Sequence, residues 1–156
     1  MSMEEIGMAL GRVPSGLFIL TTHNEGHDEA VLVSWVNQCS FEPPTISIIL
    51  EQNRPAREII ERSQAFTLNV LGKKDFDLLK LFSKPPTRDS VFDGIDIRRG
   101  HHNTVILNNT VSFMECELLQ STPVEDHFIY VGKIIGGGLL KGGEPYVHIR
   151  KSGLSY

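Results

Sequence analysis

Short runs of apolar and β-branched residues, separated by turn-forming residues, recur along the chain and limit its fold more than any other feature. Runs of this kind predict strands of about four to eight residues. Closing a sheet of such strands on itself removes its exposed edges. The sequence therefore predicts a mainly β protein arranged as a closed or nearly closed barrel. The predicted strands are residues 16–22, 30–36, 45–50, 65–71, 104–107, 111–122, 127–135 and 146–149.

A few short amphipathic segments predict helices on the outside of this barrel. They are residues 3–10, the segment that follows Asn53, and residues 75–82. Asn53 is expected to cap the second helix, and Pro55 suits its first turn. Two further segments are predicted to lack regular structure: a polar loop at residues 87–103 and a flexible glycine-rich hairpin tip at residues 136–145.

Composition narrows the classes of function. A length of 156 residues predicts one domain, residues 1–156. The net charge of −4, with no basic block, argues against a nucleic-acid partner. No apolar run reaches the roughly 18–20 residues of a membrane span, so no membrane partner is expected. Cys39 and Cys116 form no metal-ligand spacing and no disulfide framework, which favours a cytoplasmic protein without a metal site.

One polar stretch, SWVNQCSFEPP at residues 34–44, separates two apolar predicted strands and contains the only tryptophan, Trp35. Each hydrogen-bonding side chain buried there without a partner would cost about 1–3 kcal/mol. The stretch is therefore either a solvated loop or the wall of a site. A flat polar heterocycle suits it, because the ring edge needs donors and acceptors while its face needs an aromatic wall. Arg54 and Lys84 are the candidate cations for a phosphate on such a ligand.

Asp126 and His127 open another predicted strand. A neighbouring carboxylate can orient an imidazole for proton transfer. Adjacent side chains on a strand point to opposite faces, however, so these two are not expected to meet. His127 is either a polar rim residue or a hydrogen-bonding partner for a ligand in the barrel mouth.

The order of these motifs resembles the flavin reductase-like, FMN-binding split-barrel family, and the likeness covers nearly the whole chain. SWVNQ and RKSGLSY look most like the reductase-type module of flavodiiron proteins and like flavoredoxin-type carriers. The matching segments are GLFILTT, VSWVNQCSFEPP, Asn53-Arg54, Asn69-Val70-Leu71, Phe82-Ser83, ECEL at residues 115–118, Asp126-His127 followed by Gly132, and RKSGLSY at residues 150–156.

The resemblance implies a mainly β split barrel with a few short peripheral helices, paired as a homodimer with FMN near the subunit interface. It also implies flavin contacts in three groups. The first group meets the isoalloxazine and phosphate: Ser34, Trp35, Val36, Asn37, Gln38 and Ser40. The second lies near the ribityl chain or phosphate: Asn53, Arg54, Ser83 and Lys84. The third, His127 and Tyr156, borders the ring, with His127 as the candidate catalytic residue.

The activity implied is NAD(P)H-dependent flavin reduction, in which hydride passes from the nicotinamide to flavin N5. FMN is the expected flavin, with FAD possible as an exchangeable substrate. One alternative is an FMN-containing electron carrier that serves a redox partner protein without its own NAD(P)H turnover. Another is a β-barrel binding protein with no redox role. Arg88, Arg98 and Arg99 of the predicted loop could receive an NADPH phosphate or an acidic partner.

Overall fold

Antiparallel strands dominate the computed structural model, which describes residues 1–84 and 90–156. None of the helices in these ranges is long and apolar enough to cross a membrane. The helices are α1 (Met3–Leu10), α2 (Ala56–Ser63) and α3 (Phe76–Phe82), with a 3-10 helix at His101–Asn103. The strands are β1 (Phe18–Asn24), β2 (His27–Val33), β3 (Val36–Phe41), β4 (Pro44–Glu51), β5 (Ala65–Val70), β6 (Ile97–Arg99), β7 (Val105–Leu107), β8 (Ser112–Val124) and β9 (His127–Leu139).

One seven-stranded antiparallel sheet forms the body of the protein, in the order β2-β1-β5-β8-β9-β4-β3. β2 and β3 are its opposite edges, yet only Ser34 and Trp35 separate them in the chain. Three extended residue steps span at most roughly 11 Å, so the sheet must curl until these edges approach each other. The two described edge strands do not pair with each other. The result is the predicted mainly β split barrel.

Two apolar clusters stabilise this arrangement. The first fills the barrel and includes Leu20, Ile48, Leu68 and Tyr130. The second lies where β7 and α3 cover the sheet, and it includes Ile19, Leu71, Phe92, Val105 and Leu107. Full burial of each such side chain contributes about 1.5–3 kcal/mol relative to exposure.

The C-terminal segment lies against α1, and this contact carries residues 150–156 to one end of the barrel. α1 begins with a capping box in which Ser2 and Glu5 satisfy each other's backbone amides. Gly153 donates a backbone hydrogen bond to the Gly7 carbonyl at 2.6 Å. A Cβ at Gly153 would lie 2.1 Å from the Leu10 Cβ, so only glycine allows this close approach.

Several boundary predictions are wrong. The polar stretch is not a loop, because residues 36–41 form β3 and pair with β4. The predicted strand 30–36 instead starts earlier as β2 and ends at Val33. Gly136, Gly137 and Gly138 belong to β9, where they pair with residues of β8 and are not part of a flexible tip. Residues 146–149 form no strand and contribute only the isolated bridge between Ser15 and His148.

Two predictions about connecting segments also fail. The predicted loop 87–103 contains β6 and the 3-10 helix, while its residues 87–89, with Arg88, lie outside the described residues. Asn53 does not cap α2. Pro55 occupies the N-cap position without a side-chain hydrogen bond, since residues 51–54 first form a turn closed by the Arg54 amide and the Glu51 carbonyl at 3.1 Å.

Candidate functional site

Two adjoining cavities flank the link between β2 and β3, at the end of the barrel where the sheet edges approach. Their volumes are about 530 and 600 Å³. Both fall within the range of small-molecule sites. Trp35, Ile49 and Arg150 line both cavities, so the two cavities join at these residues. We call them the serine cavity and the histidine cavity.

The serine cavity combines hydroxyl and amide groups with flat apolar walls. Ser34, Trp35, Val36 and Asn37 come from the link and from the start of β3. β4 adds Ser47, whose hydroxyl donates to the Asn37 carbonyl at 3.2 Å, and Ile49. The remaining lining residues come from residues 13–16 and from the C-terminal segment, namely Val13, Pro14, Ser15, Gly16, Pro145, Tyr146, Val147 and Arg150.

The histidine cavity centres on an aromatic cluster. The Trp35 ring lies 4.8 Å from the His127 ring and 5.2 Å from the Tyr156 ring, centroid to centroid. The guanidinium of Arg150 lies 5.3 Å from the Trp35 ring, and that of Arg54 lies 5.8 Å from the Tyr156 ring. Cations at these distances are attracted to the ring faces.

His127 is held through both ring nitrogens. Its Nδ1 lies 2.6 Å from Asp126 Oδ1, and its Nε2 lies 2.6 Å from the Tyr156 hydroxyl. A carboxylate only accepts, so Nδ1 carries the proton that faces Asp126. In the neutral imidazole, Nε2 is then the acceptor for the Tyr156 O–H. The hydrogen bond from His127 lowers the pKa of the Asp126 carboxyl below its usual value.

The prediction that Asp126 and His127 point apart is wrong. Asp126 lies in the turn between β8 and β9, and β9 begins only at His127. Glu125, just before it, has a positive φ of 50°, which turns the chain tightly. The strict alternation of a strand does not apply at this position.

Electrostatics differ between the two cavities. Three carboxylates, those of Glu51, Glu125 and Asp126, line the histidine cavity. The serine cavity has no carboxylate among its lining residues, and Arg150 lies where it joins the histidine cavity. Burial raises the pKa of the Tyr156 hydroxyl, so this group stays protonated at neutral pH. An anionic ligand is therefore favoured on the serine side and a neutral or cationic ring on the histidine side.

Six of the twelve predicted site residues line these cavities: Ser34, Trp35, Val36, Asn37, His127 and Tyr156. A seventh, Arg54, lies at the rim of the histidine cavity, where its guanidinium is 5.8 Å from the centre of the Tyr156 ring. Gln38, Ser40 and Asn53 line neither cavity. The Ser40 hydroxyl instead contacts Thr45 Oγ1 at 2.6 Å. The flavin contacts predicted for these residues remain predictions.

Ser83 and Lys84 follow α3 and also line neither cavity. The Ser83 hydroxyl donates to the Lys80 carbonyl at 2.9 Å. The Leu78, Leu79 and Phe82 side chains of α3 pack against the second apolar cluster.

The two described basic residues of the predicted loop, Arg98 and Arg99, are not brought to this site either. Arg99 binds both oxygens of Asp28 at 2.7 Å. Arg98 donates to the Asn108 side chain and lies over the Phe113 ring. Asp28 stands five residues before Val33 on β2, roughly 17 Å from the link at the strand's rise per residue.

Arg150 and Asp126 are the main site residues that the sequence alone did not assign. Arg150 begins the RKSGLSY motif, so its position in that motif was the available signal. Ile49, Ser47 and Tyr146 gave no signal, because they read as ordinary strand residues. Among residues 1–84 and 90–156, no group of three His, Cys, Asp or Glu side chains could hold a metal ion.

The profile of the flavin reductase like domain matches residues 10–153 of this chain. The chain belongs to the flavin reductase-like family. A diflavin flavoprotein A from Synechocystis is 31% identical over 157 residues, and the alignment covers 98% of this chain and 27% of that protein. The chain thus spans about a quarter of the length of the curated relatives it matches.

Solved structures agree on the fold. A homologue of nitrilotriacetate monooxygenase component B from Mycobacterium thermoresistibile superposes with a TM-score of 0.83 at 23% identity, covering 91% of this chain and 79% of that one. An NADH:FAD oxidoreductase from Streptomyces globisporus gives a TM-score of 0.84 at 18% identity, covering 91% and 86%. At these identities the likeness supports the split-barrel fold and does not by itself transfer an activity.

The site has the groups that a flavin requires. The serine cavity offers hydroxyls, an amide and backbone groups to the edge of a polar ring, and Trp35, Ile49 and Tyr146 to its faces. Arg150 supplies a cation for a phosphate. The donor set therefore fits a flavin that carries a phosphate.

Proposed function

We propose that this chain is an NAD(P)H-dependent flavin reductase that binds FMN in the serine cavity and receives the nicotinamide on the histidine side. The observation that carries the proposal is the pair of adjoining cavities that share Trp35, one suited to an anionic heterocycle and the other built around His127. FAD would be an exchangeable substrate, since its reactive ring is the same. The family membership and the oxidoreductase name of a structural neighbour support the proposal.

When bound, the flavin supplies a hydride acceptor at N5, so no residue of this chain is required to form a covalent bond. The residues of the chain position the reactants and exclude water. Ser34, Asn37 and Ser47 would hold the edge of the flavin ring. Arg150 would hold the phosphate. His127, oriented by Asp126, would present Nε2 as an acceptor for the nicotinamide carboxamide.

A visible spectrum of the purified protein, recorded anaerobically before and after NADH or NADPH, tests this function. We expect a yellow protein, or one that becomes yellow with added FMN, and rapid bleaching by one of the two nucleotides. A protein that binds no FMN would contradict the proposal. It would leave the non-redox binding barrel as the better reading.

A second candidate is an FMN-containing electron carrier that serves a redox partner. One observation favours it: the related diflavin flavoprotein is about four times as long as this chain, so its matching region works beside other domains. The same spectra separate the two candidates. A yellow protein that ignores both nucleotides but is bleached by dithionite would be a carrier.

We also propose that the chain acts as one flavin-binding domain and forms a homodimer. The edge strand β3 presents Phe41 with 88% of its surface exposed, and Leu139 of β9 is 86% exposed. An edge strand leaves backbone groups unpaired, so β3 and its exposed Phe41 are available to a second subunit. Sedimentation equilibrium should give twice the mass of 17.4 kDa for the wild type and the monomer mass for Phe41→Glu. A monomeric wild type at micromolar concentration would contradict dimerisation.

The free thiol of the exposed Cys39 supports a reducing compartment such as the cytoplasm.

A further inference from the structure

The Tyr156 side chain covers His127, the residue that would bind the nicotinamide in the proposed reaction. Its hydroxyl lies 2.6 Å from His127 Nε2, the nitrogen left free by Asp126. Its ring lies beside Trp35, at 5.2 Å between centroids. The side chain thus combines a flat ring with a hydrogen-bonding group at the ring edge, which are the two features of a nicotinamide carboxamide.

The segment that bears Tyr156 is held on α1 by backbone hydrogen bonds up to Gly153 and by the Leu154 side chain, which lies beside Gly7. Gly153 bonds to Gly7 of α1 at 2.6 Å, and the Arg12 guanidinium donates to the Arg150 carbonyl at 2.8 Å. After Gly153, the backbone contacts are those of the Leu154 amide with the Ser152 hydroxyl at 3.2 Å and of the Ser155 carbonyl with Arg150 at 3.0 Å. Rotation at residue 155 would therefore move Tyr156 without detaching the segment from α1.

Displacing Tyr156 costs little buried surface. The residue is 58% exposed, whereas the His127 side chain beneath it is only 15% exposed. Displacement loses the hydrogen bond to His127, the ring contacts with Trp35 and His127 at 5.2 and 5.9 Å between centroids, and the contact with the Arg54 guanidinium at 5.8 Å. A ligand ring that takes the same place regains each of these contacts, so the exchange is nearly balanced and its equilibrium is easily shifted.

We infer that Tyr156 is a built-in competitor of the electron donor: its phenol occupies the place beside Trp35 and on His127 that the nicotinamide ring needs. The inference rests on the proposed function and adds to it a residue that sets the affinity for the donor. Tyr156 takes no part in hydride transfer. The apparent association constant for the nucleotide is the intrinsic one multiplied by the fraction of time that Tyr156 spends away from His127.

Steady-state kinetics of the FMN-loaded protein test this role with two substitutions. Tyr156→Phe removes the hydrogen bond to His127 and keeps the ring, and Tyr156→Ala removes both. We expect KM for the preferred nucleotide to fall roughly three- to tenfold in Tyr156→Phe, the fold-change of one hydrogen bond, and further in Tyr156→Ala. The expected kcat stays within about twofold of wild type, because the competitor is absent from the transition state. A raised KM in either variant would overturn the inference.

Trp35 provides a second readout that needs no turnover. It is the only tryptophan in the chain, so the intrinsic emission reports on this one ring. In the flavin-free protein, nicotinamide mononucleotide should quench Trp35 emission at lower concentrations in Tyr156→Ala than in wild type. Acrylamide should also quench Trp35 more strongly in that variant. Identical titration curves for the two proteins would overturn the inference.

Lys151→Ala is the matched control. Lys151 belongs to the same segment, is exposed, and lines neither cavity. We expect wild-type KM and wild-type quenching. A change as large as that of Tyr156→Ala would mean that disturbing the segment, rather than removing the phenol, causes the effect.

Failure of the proposed function is distinguishable from failure of this inference. A wild type that binds FMN but oxidises no nicotinamide nucleotide would remove the reductase function. In that case the quenching of Trp35 emission by nicotinamide mononucleotide would still test whether Tyr156 competes with the ligand. A wild type that reduces flavin, with unchanged KM in both Tyr156 variants, would remove the competitor and leave the reductase.

Discussion

A histidine beside a carboxylate occurs at two ends of the barrel, with opposite surroundings. At the candidate site, His127 pairs with Asp126, whose side chain is 76% exposed, and its other nitrogen faces a cavity. At the far end, His101 pairs with Glu115, whose side chain is only 8% exposed. In the first pair the histidine is covered and the carboxylate is solvated. In the second pair the burial is reversed.

The difference separates a ligand site from scaffold. Glu115 accepts hydrogen bonds from the His101 amide at 2.6 Å and from the His101 ring at 2.9 Å, and Gly100 and Gly136 leave the space it fills. All of these contacts are within the fold, and neither cavity of the site includes them. The Tyr156 bond to His127, in contrast, is one that a ligand can replace. The availability of the second nitrogen, and not the pair itself, distinguishes the two ends.

Removing the Glu115 carboxylate, at the end far from the candidate site, should have the largest effect. The change should affect the stability of the protein and not its ligand binding. Glu115→Ala leaves the His101 amide without its buried partner and opens a void between β8 and the His101 turn. We expect a loss of about 2–4 kcal/mol in the free energy of unfolding, measured by urea titration, with FMN affinity of the folded protein unchanged. Glu117→Ala, which removes the exposed partner of His102, is the control and should cost less than about 0.5 kcal/mol. A weakened FMN affinity in Glu115→Ala would contradict the division between scaffold and site.

Removing the shared wall at the other end should affect ligand binding instead. Trp35→Ala deletes the ring that contacts His127 and Tyr156 and bounds both cavities. We expect the FMN dissociation constant, measured by quenching of flavin fluorescence, to rise roughly 10- to 100-fold, the range for a lost aromatic wall. An unchanged dissociation constant would place the flavin away from Trp35.

A change to acid pH should have a smaller effect on stability, which again arises at the end of the barrel far from the candidate site. Burial alone would raise the pKa of Asp28, but hydrogen bonds from Arg99 and His23 outweigh it and bring the pKa below its usual value of 3.8. A lowered folded-state pKa means that the stabilisation is fully present above pH 3.8 and is lost as the pH falls through the folded-state pKa.

Asp28→Asn should therefore destabilise the protein at pH 5 and less at pH 3. Urea unfolding at both values, for wild type and variant, measures this difference. An equal difference in unfolding free energy at the two pH values would show that the carboxylate charge is not what Arg99 and His23 stabilise.

The periodic apolar runs sufficed to predict the barrel and the helices α1 and α3, because burial of alternating faces is a local property of sequence. Strand β3 was missed because its side chains are mostly polar and exposed, as an edge strand allows, so no apolar alternation marks it although it pairs with β4 in a local hairpin. The glycines of β9 were missed for a related reason. A Cβ at Gly136 would lie 2.6 Å from the buried Glu115 carboxylate, a tertiary contact that no local pattern reveals.

The candidate site was predicted only in part, because its contacts also depend on tertiary structure. Trp35, His127 and Tyr156 were found through motifs, while their mutual contacts depend on the docking of the C-terminal segment on α1. Strand alternation wrongly separated Asp126 from His127, because the positive φ of Glu125 is a turn geometry that the sequence pattern did not show.

The smallest effect distinguishes two serines that the sequence treats alike. Ser34 and Ser40 flank the same polar stretch, but only Ser34 lines a cavity, while the Ser40 hydroxyl bonds the Pro43 carbonyl and Thr45. Ser34→Ala should raise the FMN dissociation constant roughly three- to tenfold, the fold-change of one hydrogen bond. Ser40→Ala should leave it within about twofold, because its partners lie within the β3–β4 turn. A larger effect for Ser40 would mean that the flavin extends along the outer face of β3, where a second subunit could complete its site.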